Sequence, residues 1–159
     1  MIFIAVGTQK FAFNRLLKLV DELIERKAIQ EPVVAQVGNS DYQPKNYEYK
    51  NFMSKAEFEQ YIKSCDILIT HSGVATIITG LKYEKKVIVA PRLAKFGEHV
   101  DNHQKQIAQS FSNQNLVMIC GEDDDLSLLI KEAKKHQFSK YISQRKLMIK
   151  TIRDYLDTI

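Results

Sequence analysis

Two short stretches hold most of the side chains able to bind a charged or hydroxyl-rich ligand: His71-Ser72-Gly73-Val74-Ala75-Thr76 and Phe96-Gly97-Glu98-His99-Val100-Asp101-Asn102-His103-Gln104. In the first, Gly73 lets the backbone come close to a ligand. Ser72 and Thr76 place hydroxyls beside the N–H groups that the first turn of a helix leaves free, an arrangement suited to a diphosphate. Ser72 acting only as a helix N-cap is the plainer alternative. In the second stretch, Asn, Gln, Asp and Glu are packed densely enough to recognise several hydroxyls of a sugar at once. His99 and His103 stand four apart, which could let both hold a metal. Glu98, however, lies before His99 rather than inside an H-E-x-x-H motif and no third ligand is evident, so no metal site is expected. Capping of the next helix by Asp101 or Asn102 is compatible with sugar binding. A third stretch, Gly7-Thr8-Gln9, could present N–H groups and a hydroxyl to a phosphate or sugar oxygen, although a glycine closing a strand is also ordinary turn chemistry.

The motifs that are missing narrow the chemistry. Gly7 is not followed by the Gly-Lys-Ser/Thr of a P-loop, and there is no G-x-S-x-G elbow. Cys65 and Cys120 have neither CxxC spacing nor a Cys-His context, and read as buried free thiols. Covalent catalysis therefore has no candidate, and no cofactor is implied. Positioning and stabilisation of a leaving nucleoside diphosphate remain, and helix N-termini can supply both without a metal.

These loops need strands and helices to hold them. Ile2 to Val6 reads as a strand, with a helix-period run Phe13, Leu16, Leu17, Leu19, Val20, Leu23, Ile24 after it, its start near Thr8 or Asn14. Val33 to Val37 reads as a second strand and Tyr47 to Phe52 as a weaker third. Ser54 and Glu57 form a capping box before a helix through Tyr61 and Ile62. Strands over Ile67–Thr70, Val87–Ala90 and Leu116–Ile119 alternate with helices over about 74–83 and 102–111. Acids first and lysines last mark a helix over Leu126–Lys135. The alternation predicts an α/β, doubly wound, mostly parallel sheet with helices on both faces, and two loops delivered to one sheet edge. A final helix over about 140–157 carries Tyr141, Ile142, Met148, Ile149, Ile152, Tyr155, Leu156 and Ile159 on one stripe and a basic opposite face.

With 159 residues, 45% of them hydrophobic and 26% charged, the chain is expected to fold as one domain, 1–159, around a real core. The N-terminal apolar run is too short for a membrane span and has no basic residues before it, so a cytoplasmic location is expected. The net charge of +4 is uneven: between Lys131 and Arg153 eight Lys/Arg face one Glu. A solvated helix face is the plain reading of that tail, and an anionic surface, phospholipid or acidic protein, is the other.

Taken together these residues resemble glycosyltransferase family 28, specifically the donor-binding, Rossmann-like C-terminal half of a GT-B enzyme, over essentially the whole chain. Val6-Gly7-Thr8-Gln9 resembles that half's first glycine loop, His71 to Thr76 its H-(A/G)-G-x-(A/G)-(S/T) turn, and Lys86 to Pro91 its K-x-x-I-V-x-P strand. Phe96-Gly97-Glu98-His99 through His103-Gln104 resembles the F-G-E-H-x-x-x-H-Q loop of bacterial capsular and exopolysaccharide subunits. Those are similar to the catalytic subunit of the two-subunit dolichol-diphosphate N-acetylglucosaminyltransferase. The resemblance implies an inverting, metal-independent hexosyltransferase using a UDP-sugar donor, most commonly β-1,4-galactosyl transfer to a lipid-diphosphate-linked sugar. It also implies a membrane-anchored acceptor-binding subunit that recruits this chain to the inner face of the membrane. Gly7 and Thr8 would then face the reacting centre, and Ser72, Gly73, Ala75 and Thr76 the diphosphate. Glu98, His103 and Gln104 would face sugar and ribose, with Arg92 and Asn102 as further substrate-binding residues, and the deprotonating base would be His99, Glu98 or a group supplied by the partner. Where relatives carry an acid for the ribose hydroxyls this chain has Thr79, which favours the alternative of a non-catalytic enhancer of a partner transferase. Neither a nucleic acid nor a metal enters either reading.

Overall fold

The structure, a computed structural model, describes residues 1–157. The chain runs β1 Ile2–Ala5, α1 Asn14–Glu25, β2 Val33–Gln36, β3 Glu48–Lys50, α2 Lys55–Ser64, β4 Ile67–Thr70 and α3 Val74–Lys82. It continues through β5 Lys86–Val89, a 3-10 turn at Ala94–Phe96, α4 His103–Asn113, β6 Met118–Ile119, α5 Leu126–Lys135 and α6 Arg145–Leu156. All six strands pair in parallel in the order β3-β2-β1-β4-β5-β6. This is the doubly wound α/β sheet that the alternation predicts, and β1 and β4 lie side by side although two strands separate them in sequence.

The alternation of side chains along each strand sorts the core into two layers. Ile2, Ile4, Val33, Ala35, Ile67, Ile69 and Ile88 pack beneath α1 and α5, against Phe13, Leu16, Leu17, Val20, Leu126 and Ile130. Phe3, Ala5, Leu68, Val87 and Val89 face the other way, against Ile62 of α2, Ile77 and Leu81 of α3 and Ala108 of α4. The chain crosses from one face to the other between β1 and β4. Ligands of open parallel sheets bind at such a crossing, outside the carboxyl ends of the strands.

The connection from β2 to the parallel strand β3 contains no helix. A buried carboxylate on α1 organises it instead. Asp21 accepts hydrogen bonds from Tyr42 Oη at 2.6 Å, from Lys45 N and Asn46 N at 2.8 Å each, and from Asn46 Nδ2 at 2.9 Å. Burial alone would raise its pKa, but these donors hold it below the usual carboxylate value. At α2 the Ser54 hydroxyl accepts from Glu57 N at 3.2 Å, half of the capping box read in the sequence.

Several boundaries differ from the sequence reading. The last strand is Met118–Ile119 rather than 116–119, because Leu116 N bonds to Phe111 O and closes the end of α4 first. The last helix starts at Arg145, not near 140. Residues 136–143 run without helix because Asn115 holds them extended: its Nδ2 donates to Gln137 O at 3.0 Å and its carbonyl accepts from Ser139 N at 2.9 Å. Phe138 and Tyr141 then pack on the core from opposite sides of the sheet. Of the expected apolar stripe, Ile142, Ile149, Ile152 and Leu156 are exposed. Ile159 and the side chains of Met148 and Tyr155 lie outside the described residues. Among the described residues no helix is long and apolar enough to cross a membrane, and both cysteines are buried and free.

Candidate functional site

A groove of about 520 Å3 opens at the carboxyl ends of β1 and β4. The turn after β1 contributes Gly7, Thr8 and Gln9; the turn after β4 contributes His71 and Gly73, and the first turn of α3 contributes Val74, Ala75 and Thr76. Gln36, Met53, Lys55 and Phe58 close it from the side of β2 and α2. Five of the expected residues, Gly7, Thr8, Gly73, Ala75 and Thr76, thus meet on one surface.

Both glycines are dictated by one imidazole. Gly7 has φ +84, and a Cβ there would stand 2.6 Å from His71 Nε2, while one at Gly73 would stand nearer still. His71 therefore fills the space that side chains at 7 and 73 would occupy, and the two turns close around it. The ring is buried, which pushes its pKa down to about 4; the Ala5 carbonyl opposes the fall, and the charges of Arg92 and His99 deepen it.

Gly73 is also the N-cap of α3, and no side chain caps the helix. The first helical bond is Ile77 N to Gly73 O at 3.0 Å, so the N–H groups of Val74, Ala75 and Thr76 have no intrahelical acceptor. Ser72, read in the sequence as a possible N-cap, caps nothing. Its N–H donates to Gln104 Oε1 at 3.3 Å, and its buried hydroxyl has no hydrogen-bond partner. The uncapped helix start therefore turns free N–H groups, and the partial positive charge of the helix dipole, toward the groove wall.

The second loop divides between bracing and exposure. Arg92 is 1% exposed, and its Nη1 donates to the carbonyls of Phe11 at 2.8 Å, Glu98 at 3.2 Å and Ala12 at 3.3 Å; its Nη2 donates to Val6 O. The guanidinium also sits 5.0 Å from the Phe13 ring centroid. Burial pushes its pKa down to about 10 against the opposing effect of Glu98. The Glu98 carboxylate is buried too, accepting from Arg15 Nε at 2.9 Å, Arg15 Nη2 at 3.1 Å and Leu93 N at 2.9 Å. Neither side chain lines the groove. Arg92, expected to bind substrate, and Glu98, expected as a base, are instead engaged within the fold: a desolvated charge takes the partners within reach, and theirs are backbone carbonyls, Arg15 and a backbone N–H.

Gln104 is likewise buried, and its Oε1 accepts from both Arg92 N at 2.9 Å and Ser72 N at 3.3 Å. It ties the two loops together from beneath the glycine turn. Asn102, the N-cap of α4 by position, turns its Oδ1 back to Ala94 N at 3.1 Å, and Asp101 Oδ1 accepts from His103 N at 2.9 Å. His99 is oriented by Asp101, with Nδ1 3.1 Å from Oδ1, and its ring centroid is 6.1 Å from that of Phe11. His103 Nδ1 turns to Gln106 Oε1 at 3.1 Å. The two histidines thus address different partners, and among the described residues no three His, Cys, Asp or Glu side chains gather as a metal cluster would.

Sequence reasoning missed His71, Gln36 and Lys55. His71 stood inside the quoted turn without a role, and its place directly after a central strand was the available signal. Lys55 had none, since α2 reaches the groove only through the packing of the sheet. Thr79, at the position where a ribose-binding acid was looked for, donates its hydroxyl to Ala75 O at 2.8 Å.

Residues 1–159 match the family described as glycosyltransferase family 28 C-terminal domain. Among curated proteins, the UDP-N-acetylglucosamine transferase subunit ALG13 of Candida albicans is 34% identical over 77 residues, 48% of this chain and 23% of that protein. The UDP-N-acetylglucosamine--N-acetylmuramyl-(pentapeptide) pyrophosphoryl-undecaprenol N-acetylglucosamine transferase of Prochlorococcus marinus is 28% identical over 140 residues, 82% of this chain and 38% of that one. This chain therefore spans less than two-fifths of the length of either. The solution structure of ALG13 superposes with a TM-score of 0.57 over 89% of both chains at 17% identity. The fold is that of the C-terminal, Rossmann-like domains of GT-B glycosyltransferases.

Proposed function

From the premise that this chain belongs to the glycosyltransferase family 28 C-terminal domain family, we propose that it binds the donor of a UDP-sugar-dependent transferase as a single domain. The diphosphate lies on the uncapped first turn of α3, and the sugar lies toward Gly7 and Thr8. The observation that carries this reading is the free N-terminus of α3 opening opposite the Gly7 turn, at the point where the sheet changes face. Relatives named as transferases of UDP-N-acetylglucosamine support the donor class.

The chemistry asked of such a site is inverting transfer of a hexose, which needs negative charge on the departing diphosphate to be stabilised. Helix N–H groups, the Thr76 hydroxyl and the Lys55 ammonium supply that without a metal. His99 takes the acceptor's proton, its ring held in place by Asp101. Asn102 and His103, on the exposed part of the loop, contact the sugar. We favour galactose, added β-1,4 to a lipid-diphosphate-linked sugar in capsular or exopolysaccharide synthesis. A membrane-anchored partner supplies the acceptor site and brings this chain to the inner membrane face. A UDP-sugar panel assayed with and without that partner tests the sugar and the requirement together.

The test of the site itself is NMR titration with UDP. Amide shifts should cluster at Gly7–Gln9 and at 71–76, with smaller ones relayed to Gln104 and Arg92. Shifts confined to the opposite rim of the sheet would defeat the assignment. The back-bonded Thr79 favours one second reading, in which the chain activates a partner transferase and binds nucleotide weakly or not at all.

A further inference from the structure

None of the roles assigned above uses the imidazole of His71, although it lies at the join of the two glycine turns. Its tautomer follows from its neighbours. Nδ1 is 3.3 Å from the Ala5 carbonyl and 3.2 Å from Thr70 Oγ1. The Thr70 hydroxyl donates its own hydrogen to Ala5 O at 2.7 Å, so both groups facing Nδ1 can only accept. Nδ1 therefore carries the hydrogen, and in the neutral ring Nε2 is a bare lone pair. Nε2 is also the atom that a Cβ at Gly7 or Gly73 would strike, which fixes it between the two turns that line the groove.

An unprotonated acceptor is out of place among donors. The first turn of α3, with its free N–H groups, and Lys55 of α2 line the same groove, and Arg92 and His99 add charge from the loop after β5. Burial and those two neighbours keep the imidazole neutral at about pH 7. An anion a few ångströms from Nε2 acts in the opposite direction, because it favours the charged ring.

Resting on the reading of the groove as a nucleoside-diphosphate site, we propose that His71 takes up a proton at Nε2 from solvent when the diphosphate binds, and then donates it in a hydrogen bond to a phosphate oxygen. Donor binding is thereby linked to pH. The ring titrates at lower pH in the free site than in the complex, so affinity rises as the pH falls through the complex's pKa and levels off below that of the free site.

The test is 15N NMR of the full chain, following both ring nitrogens of His71 from about pH 8 to about pH 5, with and without saturating UDP. In the free protein Nε2 should keep the shift of an unprotonated nitrogen throughout. With UDP it should move to the protonated position with a midpoint at about pH 6 or above, equivalent to about tenfold tighter binding at pH ~5 than at pH ~8. The ring shift decides rather than affinity alone, since the terminal phosphate of UDP itself titrates near pH ~6. His71→Gln, whose amide cannot take a proton, should lose the tenfold gain; if that variant does not fold, the wild-type ring shifts still decide. Nε2 that stays unprotonated while amide shifts at Gly7–Gln9 and 71–76 report bound UDP overturns this proposal alone. Absence of those amide shifts overturns the groove reading with it.

Discussion

Three buried polar side chains behave differently from their exposed counterparts in sequence, and His71 has the clearest consequence. Its folded pKa of about 4 lies below the ordinary 6.5, so between those values the unfolded chain binds the proton and the folded chain does not. Stability should therefore be fully present above pH 6.5 and fall as the pH drops toward 4, by up to roughly 3 kcal/mol from this group. Urea unfolding across that window checks the sign; His71→Gln should flatten the slope. Arg92 and Glu98 hold their charges inside the fold as a brace joining the Gly7 turn to the loop after β5. In the proposed reaction His99 takes the acceptor's proton. His99→Asn should lower kcat by about 10²- to 10⁴-fold in the assembled enzyme while leaving UDP affinity unchanged. Equal losses in binding and rate would assign it a structural role instead.

At the scale of the element, α3 is the part whose electrostatics can be reversed without harming the fold. Ala75 is exposed in its uncapped first turn, where an acid interacts favourably with the helix dipole. Ala75→Asp should therefore fold with wild-type or slightly higher stability and yet repel a diphosphate. An affinity loss of 10-fold or more for UDP by calorimetry is the expected order of magnitude, about 1.4 kcal/mol or above. The same variant separates the two functional readings, since an activating subunit with no donor role should support its partner undiminished. The loop between β2 and β3 shows the opposite dependence, being ordered by the single carboxylate of Asp21 rather than by a helix of its own.

For the molecule as a whole, six parallel strands and five of the helices share one two-layered core, to which none of the described side chains of α6 belongs. Ile149, Ile152 and Leu156 are each about half exposed, at 46%, 54% and 57%. Removing residues 145–159 should move the melting temperature by less than about 4 °C, the shift expected when little core is lost from a chain of this size. We expect the same truncation to abolish association with the proposed acceptor subunit. Retained association together with lost binding to anionic vesicles would make α6 a membrane-surface helix instead.

Local chemistry carried far in this chain. Alternating apolar runs predicted the strands and helices, Ser54 with Glu57 marked the start of α2, and the glycine-bearing turns after Ile2–Ala5 and Ile67–Thr70 located the groove. Each of these signals is contained within a few residues and does not depend on distant partners. Whether a polar side chain faces a ligand or the protein's own backbone is decided by groups far along the chain. Arg92 finds Val6 O 86 residues away, and Glu98 finds Arg15 at a separation of 83. Nothing in the sequence around 92–98 distinguishes a brace from a binding loop, and nothing around Lys55 announces that it borders the groove. Desolvation makes the choice: once the sheet closes over a charge, that charge must take the nearest complementary groups, and only the tertiary structure sets which groups those are.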